Sequence, residues 1–506
     1  MNNKTLHLFA LGIALSLAGP ASGTALRYAE DQAPGIINPL FTTSMSEARV
    51  NELLFDGLFT DDRDLASTPA LVDNWELAED KLSMTLSLKP DLYWQDGTPL
   101  STKDVVFTIE AMKNPKTLSS EAGRVEWIKS AEALSSQQLR LTFNQPEFQP
   151  QDKLFFKIVP SHAFDSTTVR RGDDFRTKPV GTGPYQFISY NPDNSITYRR
   201  NTDYRDSVGI PELVMREVND KNYQAKLMLF ESMEALIRVL PRDLAVLQNN
   251  RLVELYPYQT NSWWYTGFNL TRAPFNEPKV RAALAHMVDV EALLAPVGTG
   301  AVLSGPFVKS SPYYNHDVAP VSADPFLAGG YLEEAGFEQG PDGWQRDGEV
   351  LTLQLSAPKA VEDAQEIVLN LQAQLQQNGV SVTVEFLDEA EWKARIWRNR
   401  DFDMLLSQWS FDRNEDVRDQ FHSKGARNFG SYTNEKVDDL LDRARNSSDP
   451  YEKKMLLREA HRVIHEDHPM IFLWTLDSYA ALNTKISQVA IHPFYFFTYV
   501  SSWRMK

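Results

Sequence analysis

The sequence predicts an α/β fold with mixed sheets, and three kinds of pattern support this prediction. Segments in which apolar and polar residues alternate indicate half-buried strands. Between them lie segments that begin with capping residues and repeat apolar residues at helical spacing, which indicate helices. The strands are irregularly spaced, which argues against a closed barrel. At 506 residues the chain exceeds the length of a typical single domain, about 250 residues at most, so we expect two or more compact units.

A capping box and two alternating stretches identify elements of the N-terminal half. Ser44 and Glu47 have the spacing of a capping box, and a helical apolar stripe over 50–58 follows them. Apolar and polar residues alternate over 82–88 and again over 139–143, so each stretch is predicted to be a strand with one buried face.

Glycine-containing motifs mark two chain reversals. Asp96-Gly97 is a hairpin signal, because glycine adopts positive φ without steric cost. Gly181 and Gly183, with the proline that follows them, predict a stiff reversal ahead of a strand over 185–190.

The C-terminal half contains a strand–helix–strand unit over 351–386. Its helix is predicted over 366–377 and ends at Asn378-Gly379. Farther along, Asn434 is expected to cap a helix. Asp449-Pro450 begins another, with Glu452 as the reciprocal capping residue.

The N-terminus has the features of a secretory signal peptide. Lys4 is the only charged residue before Arg27, and 8–19 (LFALGIALSLAG) is an apolar run too short to span a bilayer. Small residues follow, so residues 1–23 are predicted to be removed near Gly23. A buried N-terminal helix is the alternative, but this segment has no polar face. Because no cysteine is available for lipidation, we expect an unanchored protein held in a Gram-negative-type periplasm.

Charge and cysteine content exclude several classes of function. The net charge is -17, which would repel nucleic acid and mildly favours zwitterionic or cationic cargo. The absence of cysteine excludes disulfides, thiolate metal sites and cysteine nucleophiles. No G-x-S-x-G elbow, phosphate-binding loop or H-E-x-x-H motif occurs, so the sequence favours a protein that is not an enzyme and has no cofactor.

Three histidines are the only residues whose spacing in the sequence resembles that of metal ligands. His461, His465 and His468 are spaced for one face of a helix end, which suits zinc or nickel. The alternative is a solvated helix terminus, where histidine interacts favourably with the helix dipole, and this is the preferred interpretation. His422 is a weaker, isolated candidate for a metal chelate.

Short blocks in fixed order resemble the extracellular solute-binding proteins of peptide-type ABC importers, the family 5 group that includes oligopeptide, dipeptide and nickel-chelate binding proteins. Each block is weak alone, but their shared order over about 450 residues is specific. The blocks are 51–58 (NELLFDGL), 69–71 (PAL), 75–76 (WE), 88–90 (LKP), 94–99 (WQDGTP), 104–107 (DVVF), 158–160 (IVP), 181–185 (GTGPY), 200–204 (RNTDY), 268–269 (FN), 274–275 (PF), 280–284 (VRAAL), 428–429 (NF), 432–434 (YTN), 437–438 (VD) and 466–469 (EDHP).

The resemblance implies a two-lobed periplasmic-binding-protein (Venus-flytrap) fold that closes around a solute by hinge motion. Lobe I is then expected to comprise 24–51, 178–259 and 475–506, with an extra subdomain inserted at 52–177. Lobe II is expected at 260–474. The aromatic run 494–499 (FYFFTY) is expected to pack on lobe I.

The resemblance also implies ligand-binding residues. Several members place an aspartate three residues after a tryptophan to pair with a peptide ammonium, and Trp409 and Asp412 match that spacing, with Ser410 and Arg413 in the same loop. The residues after Asp412 depart from the family's usual Asp-Pro pair, so a local ion pair of Asp412 with Arg413 or Arg418 remains an alternative.

Other candidates come from two more segments. Thr43 and Ser44, beside Thr42, are expected to present backbone to the ligand, although helix capping alone would explain them. Trp263 opens a strand that could line the cleft or could be sheet core. The family's usual glycine is not evident at 231–234 (ESME), so no contact is assigned to that loop.

The implied function is capture of a small solute, preferably a peptide, and its delivery to the membrane permease of an ABC importer by a monomeric protein. The alternatives are a nickel chelate, haem, an oligosaccharide or an opine-like compound on the same fold, an exported hydrolase, and a ligand-sensing or chaperone-like role.

Overall fold

The computed structural model describes residues 25–63, 65–260, 262–359, 361, 364–410, 415–447 and 449–506. The predicted signal peptide lies outside the described residues, and so do Asp412 and Arg413. No helix among the described residues is long and apolar enough to cross a membrane.

Strands and helices alternate along the described chain, as an α/β fold requires. The strands are β1 (Ala25–Glu30), β2 (Phe59–Asp61), β3 (Ser67–Pro69), β4 (Val72–Leu77), β5 (Ser83–Leu88), β6 (Ile128–Ala133), β7 (Gln138–Phe143), β8 (Tyr185–Tyr190), β9 (Ser195–Arg200), β10 (Glu212–Glu217), β11 (Ala235–Leu236), β12 (Val253–Gln259), β13 (Ser262–Phe268), β14 (Gly300–Val302), β15 (Glu338–Gly340), β16 (Gly343–Arg346), β17 (Glu349–Val350), β18 (Thr352–Pro358), β19 (Ser381–Leu387), β20 (Met404–Ser410), β21 (Met470–Phe472), β22 (Trp474–Asn483), β23 (Ile486–Ser487) and β24 (Arg504–Met505). The helices are α1 (Met45–Leu54), α2 (Thr102–Lys113), α3 (Lys221–Leu229), α4 (Leu244–Gln248), α5 (Pro278–His286), α6 (Val290–Leu294), α7 (Pro325–Glu334), α8 (Ala364–Gln377), α9 (Glu389–Trp392), α10 (Arg418–Phe421), α11 (Glu435–Asn446) and α12 (Pro450–Asp467), and a π-helical segment, Lys393–Arg398, follows α9.

Two large mixed sheets organise these elements. The first sheet has the order β12-β22-β11-β1-β10-β9-β8, with β14 paired to the start of β22. Here β1 runs parallel to β10 and β11, while β22 is antiparallel to both β11 and β12. The second sheet has the order β19-β18-β20-β13-β21, with β18 parallel to β19 and β20. The four-stranded sheet β4-β5-β7-β6 is built entirely from the segment between β1 and β8.

Both faces of the second sheet are covered, and β13 shows this most clearly. Trp264 belongs to a core with α5 and α8, whereas Trp263 belongs to a separate core with α11 and α12. Successive side chains of a strand point to opposite faces, so the two adjacent tryptophans fill the two opposite cores. A third core joins β1, β8 to β10 and the C-terminal tail.

The C-terminal tail completes the first sheet's core, as expected from its aromatic run. Phe496 and Phe497 are buried, and the Phe497 ring lies 5.0 Å from the ring of Tyr28 on β1. The adjacent Trp503 is fully buried, and its indole donates a hydrogen bond to the carbonyl oxygen of Ala490 at 3.0 Å.

Most local predictions match the structure. The capping box of Ser44 and Glu47 begins α1, Asn434 caps α11, and the predicted strand–helix–strand unit is β18, α8 and β19. Asp449 caps α12, but the expected reciprocal contact of Glu452 is wrong. Its carboxylate accepts a hydrogen bond from the hydroxyl of Ser447 at 2.7 Å, and the backbone N–H of Asp449 donates to that hydroxyl at 3.2 Å instead of to Glu452.

The Gly181 and Gly183 motif is explained by close backbone packing against the end of α1. A Cβ atom at Gly181 would lie 1.8 Å from the carbonyl oxygen of Leu54, and one at Gly183 would lie 2.6 Å from that of Leu53. Gly183 also donates its backbone N–H to the Leu54 carbonyl oxygen at 2.9 Å. The motif therefore joins α1 to β8 at a distance that only glycine permits.

We expect Gly183→Ala to lower the free energy of unfolding by about 2–4 kcal/mol, because the methyl group must push this backbone contact apart. Urea unfolding followed by circular dichroism measures the change. Gly123→Ala is the matched control, since no heavy atom lies within 4 Å of the added Cβ. Equal urea midpoints for the two variants would contradict this explanation.

Candidate functional site

The two large sheets meet at a seam, and short connections lead from one sheet to the other at two places. One runs from the end of β12 to the start of β13, and the other runs from β21 in the second sheet to β22 in the first. The hydroxyl of Thr475 donates to the carbonyl oxygen of Ser262 at 2.9 Å, which ties the two connections together. Asp477 donates its backbone N–H to the carbonyl oxygen of Thr299 at 3.0 Å.

Strands of both sheets end at this seam. Strand β12 leads directly into it, and β1 and β11 run in the same direction as β12. In the second sheet Ser410, the last residue of β20, pairs with Ser262 at the seam. Ligands of open α/β sheets bind outside the carboxyl ends of strands, so the loops that follow β1 and β20 form the candidate site.

A single buried carboxylate organises the loop on the first side of the seam. Glu47 accepts hydrogen bonds from the backbone N–H groups of Thr43 (2.7 Å) and Ser44 (3.1 Å), and also from the Thr43 hydroxyl (3.0 Å). Its other oxygen accepts from the backbone of Ile36 at 3.2 Å. These bonds hold Thr43 and Ser44, which are exposed, in one backbone conformation.

Two more segments pack against this loop. Ser119 and Ser120 donate their hydroxyls to the carbonyl oxygens of Leu40 and Thr42, at 2.6 and 2.9 Å. The guanidinium of Arg171 lies 5.3 Å from the ring centre of Phe41, within the range of a cation–π contact. Arg171 is exposed and makes no ion pair with a described residue, so it adds an available positive charge beside the loop.

On the second side, the predicted tryptophan lies at the end of β20. Trp409 is half-buried and Ser410 is exposed, while Asp412 and Arg413 immediately follow the described strand. The guanidinium of Arg427 lies 5.4 Å from the centre of the Trp409 ring. Sequence patterns gave no signal for Arg427 or Arg171, because each meets its aromatic partner only through the fold.

Stacking on an aromatic ring prepares a guanidinium to bind an anion. The ring covers one face of the planar group and leaves its in-plane N–H donors available to a carboxylate. Arg427 is exposed and forms no ion pair within the described part of the chain. The second side of the seam therefore offers a preorganised carboxylate-binding group.

The position of Trp263 corrects the expectation that its ring is open to a solute. Its exposed fraction is 0 %, and its ring packs 5.4 Å from Phe472 and 5.1 Å from Tyr265. Strand β13 lies in the interior of a sheet with covered faces, which explains the burial. The side chain of Trp263 therefore packs in the core that lies under the paired strands β13 and β20.

The three C-terminal histidines form neither a metal site nor a solvated helix end. His461 is fully buried, and its Nε2 lies 3.0 Å from the hydroxyl of Ser304, which also bonds to the hydroxyl of Tyr314 at 2.8 Å. Burial lowers the pKa of His461 to about 3 and that of His468 to about 4. Both imidazoles are thus neutral at pH 7, and the expected stabilisation of a charged histidine by the helix dipole is wrong.

His422 has a structural environment as well. It is buried, and its Nε2 lies 3.3 Å from a carboxylate oxygen of Asp442, while its Nδ1 accepts from the backbone N–H of Lys424 at 3.0 Å. Among the described residues no group of three or more histidines and carboxylates is arranged to hold a metal ion.

Comparison with known proteins assigns the chain to a family. Residues 67–429 match the model of the bacterial extracellular solute-binding proteins, family 5, so the chain belongs to that family. A glutathione-binding protein GsiB of Escherichia coli O1:K1 / APEC is 25% identical over 491 residues, covering 92% of each chain. The crystal structure of NikZ from Campylobacter jejuni in complex with Ni(L-His) is 25% identical with a TM-score of 0.80, covering 96% of this chain and 100% of that one. The oligopeptide-binding protein AppA of Bacillus subtilis, solved with a nonapeptide, is 22% identical with the same TM-score, over 96% and 99%.

These similarities confirm the predicted family and the two-lobed α/β fold. We therefore take the two large sheets as the expected centres of the lobes, and the seam as the expected cleft between them. Membership also agrees with the prediction of a solute-binding protein rather than an enzyme.

Because their pKa values are lowered, the buried histidines make stability depend on pH. An unfolded histidine gains its proton near pH 6.5, while folded His461 stays neutral down to about pH 3. The free energy of unfolding is therefore fully retained above pH 6.5 and falls as the pH drops below it, by about 1.4 kcal/mol per pH unit for such a histidine.

We expect His461→Gln to weaken this pH dependence. The free energy of unfolding that is lost between pH 6.5 and pH 4.5 should be smaller in the variant by about 2–3 kcal/mol. Urea unfolding at a series of pH values measures this free energy. Lys309→Gln, which changes an exposed side chain and leaves His461 and its partners in place, is the control and should keep the wild-type slope. An unchanged slope in His461→Gln would show that another group causes the acid sensitivity.

Proposed function

We propose that this member of family 5 is the periplasmic substrate-binding component of an ABC importer, and that it captures small peptides between its lobes and delivers them to a membrane permease. The observation that supports this most directly is the convergence of strand ends from both sheets on one cleft crossed by two segments. A solute that contacts both lobes only when they are closed shifts the population toward the closed form, and no bond need change.

The charges around the cleft suit a peptide with free ends. The proposal assigns Asp412 to the peptide ammonium and Arg427 to a carboxylate, with Trp409, Ser410 and Arg413 lining the same side. Thr43 and Ser44, held by Glu47, supply exposed backbone from the other lobe, and Arg171 offers a second guanidinium there. Extended peptides bind such backbone with strand-like hydrogen bonds.

The relatives' ligands guide the choice of cargo. Glutathione, a tripeptide-like molecule with two carboxylates, is the ligand in the names of the GsiB relatives, and a nonapeptide occupies the AppA structure. Arg171 and Arg427, which form no ion pair with a described residue, lie on opposite sides of the cleft and favour a short peptide with two carboxylates over a neutral sugar. The residue ranges given above for the lobes and the inserted subdomain belong to this proposal, as do the removal of residues 1–23 and the monomeric state.

Calorimetric titration with glutathione and a set of di- to nonapeptides tests this function. We expect saturable binding with a negative heat-capacity change, because closure buries apolar surface. Mass spectrometry of the ligand recovered after long incubation should find it unaltered. Absence of binding across the whole set, or recovery of a cleaved peptide, would overturn the proposal.

Arg427→Gln should weaken binding of a free-acid peptide by about 10- to 100-fold, because a charge-assisted bond contributes about 1.5–3 kcal/mol. The same peptide with an amidated C-terminus should bind wild type and variant equally. Lys424→Gln removes an exposed cation from the same loop and is the matched control. If the variant weakened both peptides alike, Arg427 would be contributing to the fold of the loop instead of binding a carboxylate.

Asp412→Asn should weaken binding of a peptide with a free N-terminus by a similar factor and leave an N-acetylated peptide unaffected. Asp419→Asn changes an exposed aspartate a few residues away and serves as the control. Equal affinity of the Asp412 variant and wild type for the free peptide would favour the alternative, an ion pair of Asp412 within its own loop.

A further inference from the structure

A second cavity lies in the first lobe, away from the cleft. It measures about 330 Å³ and is lined by the β2–β3 hairpin, Lys89 after β5, the loop 204–206 and the C-terminal segment 498–502. None of its lining residues comes from the second lobe or from the candidate cleft residues. The cavity is therefore independent of lobe closure.

Among the described residues three cations line this cavity, and two of them form no ion pair there. Arg205 is paired with the buried Asp56 at 2.8 Å and lies 4.4 Å from the ring centre of Tyr204. Arg63 and Lys89, in contrast, form no ion pair with a described residue. Burial lowers the pKa of Lys89, and so does the nearby Arg205, while the carboxylates of Asp206, Asp56 and Asp73 act in the opposite direction.

The two lining carboxylates form no direct ion pair with Arg63 or Lys89, although Asp206 acts on Lys89 at longer range. Asp61 is buried and bonded to the imidazole of the equally buried His492, with 3.1 Å between the oxygen and Nε2. Asp206 has 65 % of its side chain exposed and lies 3.8 Å from Arg205. Thus neither carboxylate is paired with Arg63 or Lys89.

Neutral hydrogen-bond donors complete the lining. Thr60 and Thr68 are cross-strand partners in the β2–β3 hairpin, so their side chains share one face of it. Ser501 contributes a hydroxyl from the C-terminal segment, whereas the Thr498 hydroxyl already donates to Glu52 at 3.1 Å. Hydroxyls together with cations form the donor set that binds the oxygens of a phosphate or carboxylate.

We propose that this cavity binds a small oxyanion, a phosphate or a carboxylate, between Lys89, Arg63 and the surrounding hydroxyls. The cavity has room for such an anion and several waters, since a water occupies about 30 Å³ of liquid. The bound anion would link the inserted segment, the loop 204–206 and the C-terminal tail, three parts of the chain that line the cavity together. It would stabilise the first lobe without entering the cleft.

Calorimetric and thermal-melting titrations of the full mature chain with inorganic phosphate and with citrate, against chloride at equal ionic strength, test the proposal. We expect saturable binding of phosphate or citrate, a raised melting temperature, and no saturable effect of chloride. Lys89→Met should weaken the oxyanion's binding at least 10-fold, while Lys129→Met, an exposed lysine of the same inserted segment, should not change it.

Two outcomes would overturn the proposal: no saturable binding of either oxyanion to the wild type, or binding that Lys89→Met leaves unchanged. If Lys89→Met does not fold, Arg63→Gln, which changes an exposed side chain, takes its place with the same expected loss. Peptide affinity at the cleft should stay at the wild-type value in these variants, so failure here is separable from failure of the transport function.

Discussion

The double passage of the chain between the two sheets is the constraint on which the rest of the structure depends. The two connections are short, and each sheet keeps its own covered core. The pairing of β12 with β22 and the hydrogen bond of Thr475 to Ser262 hold the connections together, which suits the hinge of the proposed clamp. The loops after β1 and β20 lie where strands end at the seam, and Arg171 and Arg427 join them from neighbouring loops.

Local chemistry made much of this fold predictable from sequence. Caps such as Ser44 and Asn434, the alternation in β5 and β7, and the strand–helix–strand unit around α8 depend on neighbours in sequence and were found where expected. The close backbone packing of Gly181 and Gly183 could not be predicted from the sequence, because the backbone they contact belongs to α1, far away in sequence. The family resemblance supplied the two lobes, which no local pattern specifies.

The candidate site was predicted less completely, for the same reason. The family resemblance singled out Trp409 and Asp412, but Arg427 and Arg171 become relevant only when loops distant in sequence pack on aromatic rings. Trp263 could have lined the cleft or filled the core, and only the fold shows that it is buried. The C-terminal histidines were expected at a solvated helix end, yet His461 is buried and neutral.

The buried aromatic tail has a consequence for truncated chains. The second sheet and its two cores draw almost entirely on one contiguous stretch and take no residue from the tail. The first sheet's core, in contrast, includes Phe496, Phe497 and Trp503. A chain that stops before these residues would retain every strand of both large sheets, yet it would lose the rings that cover Tyr28 on β1, so the damage would be confined to the first sheet.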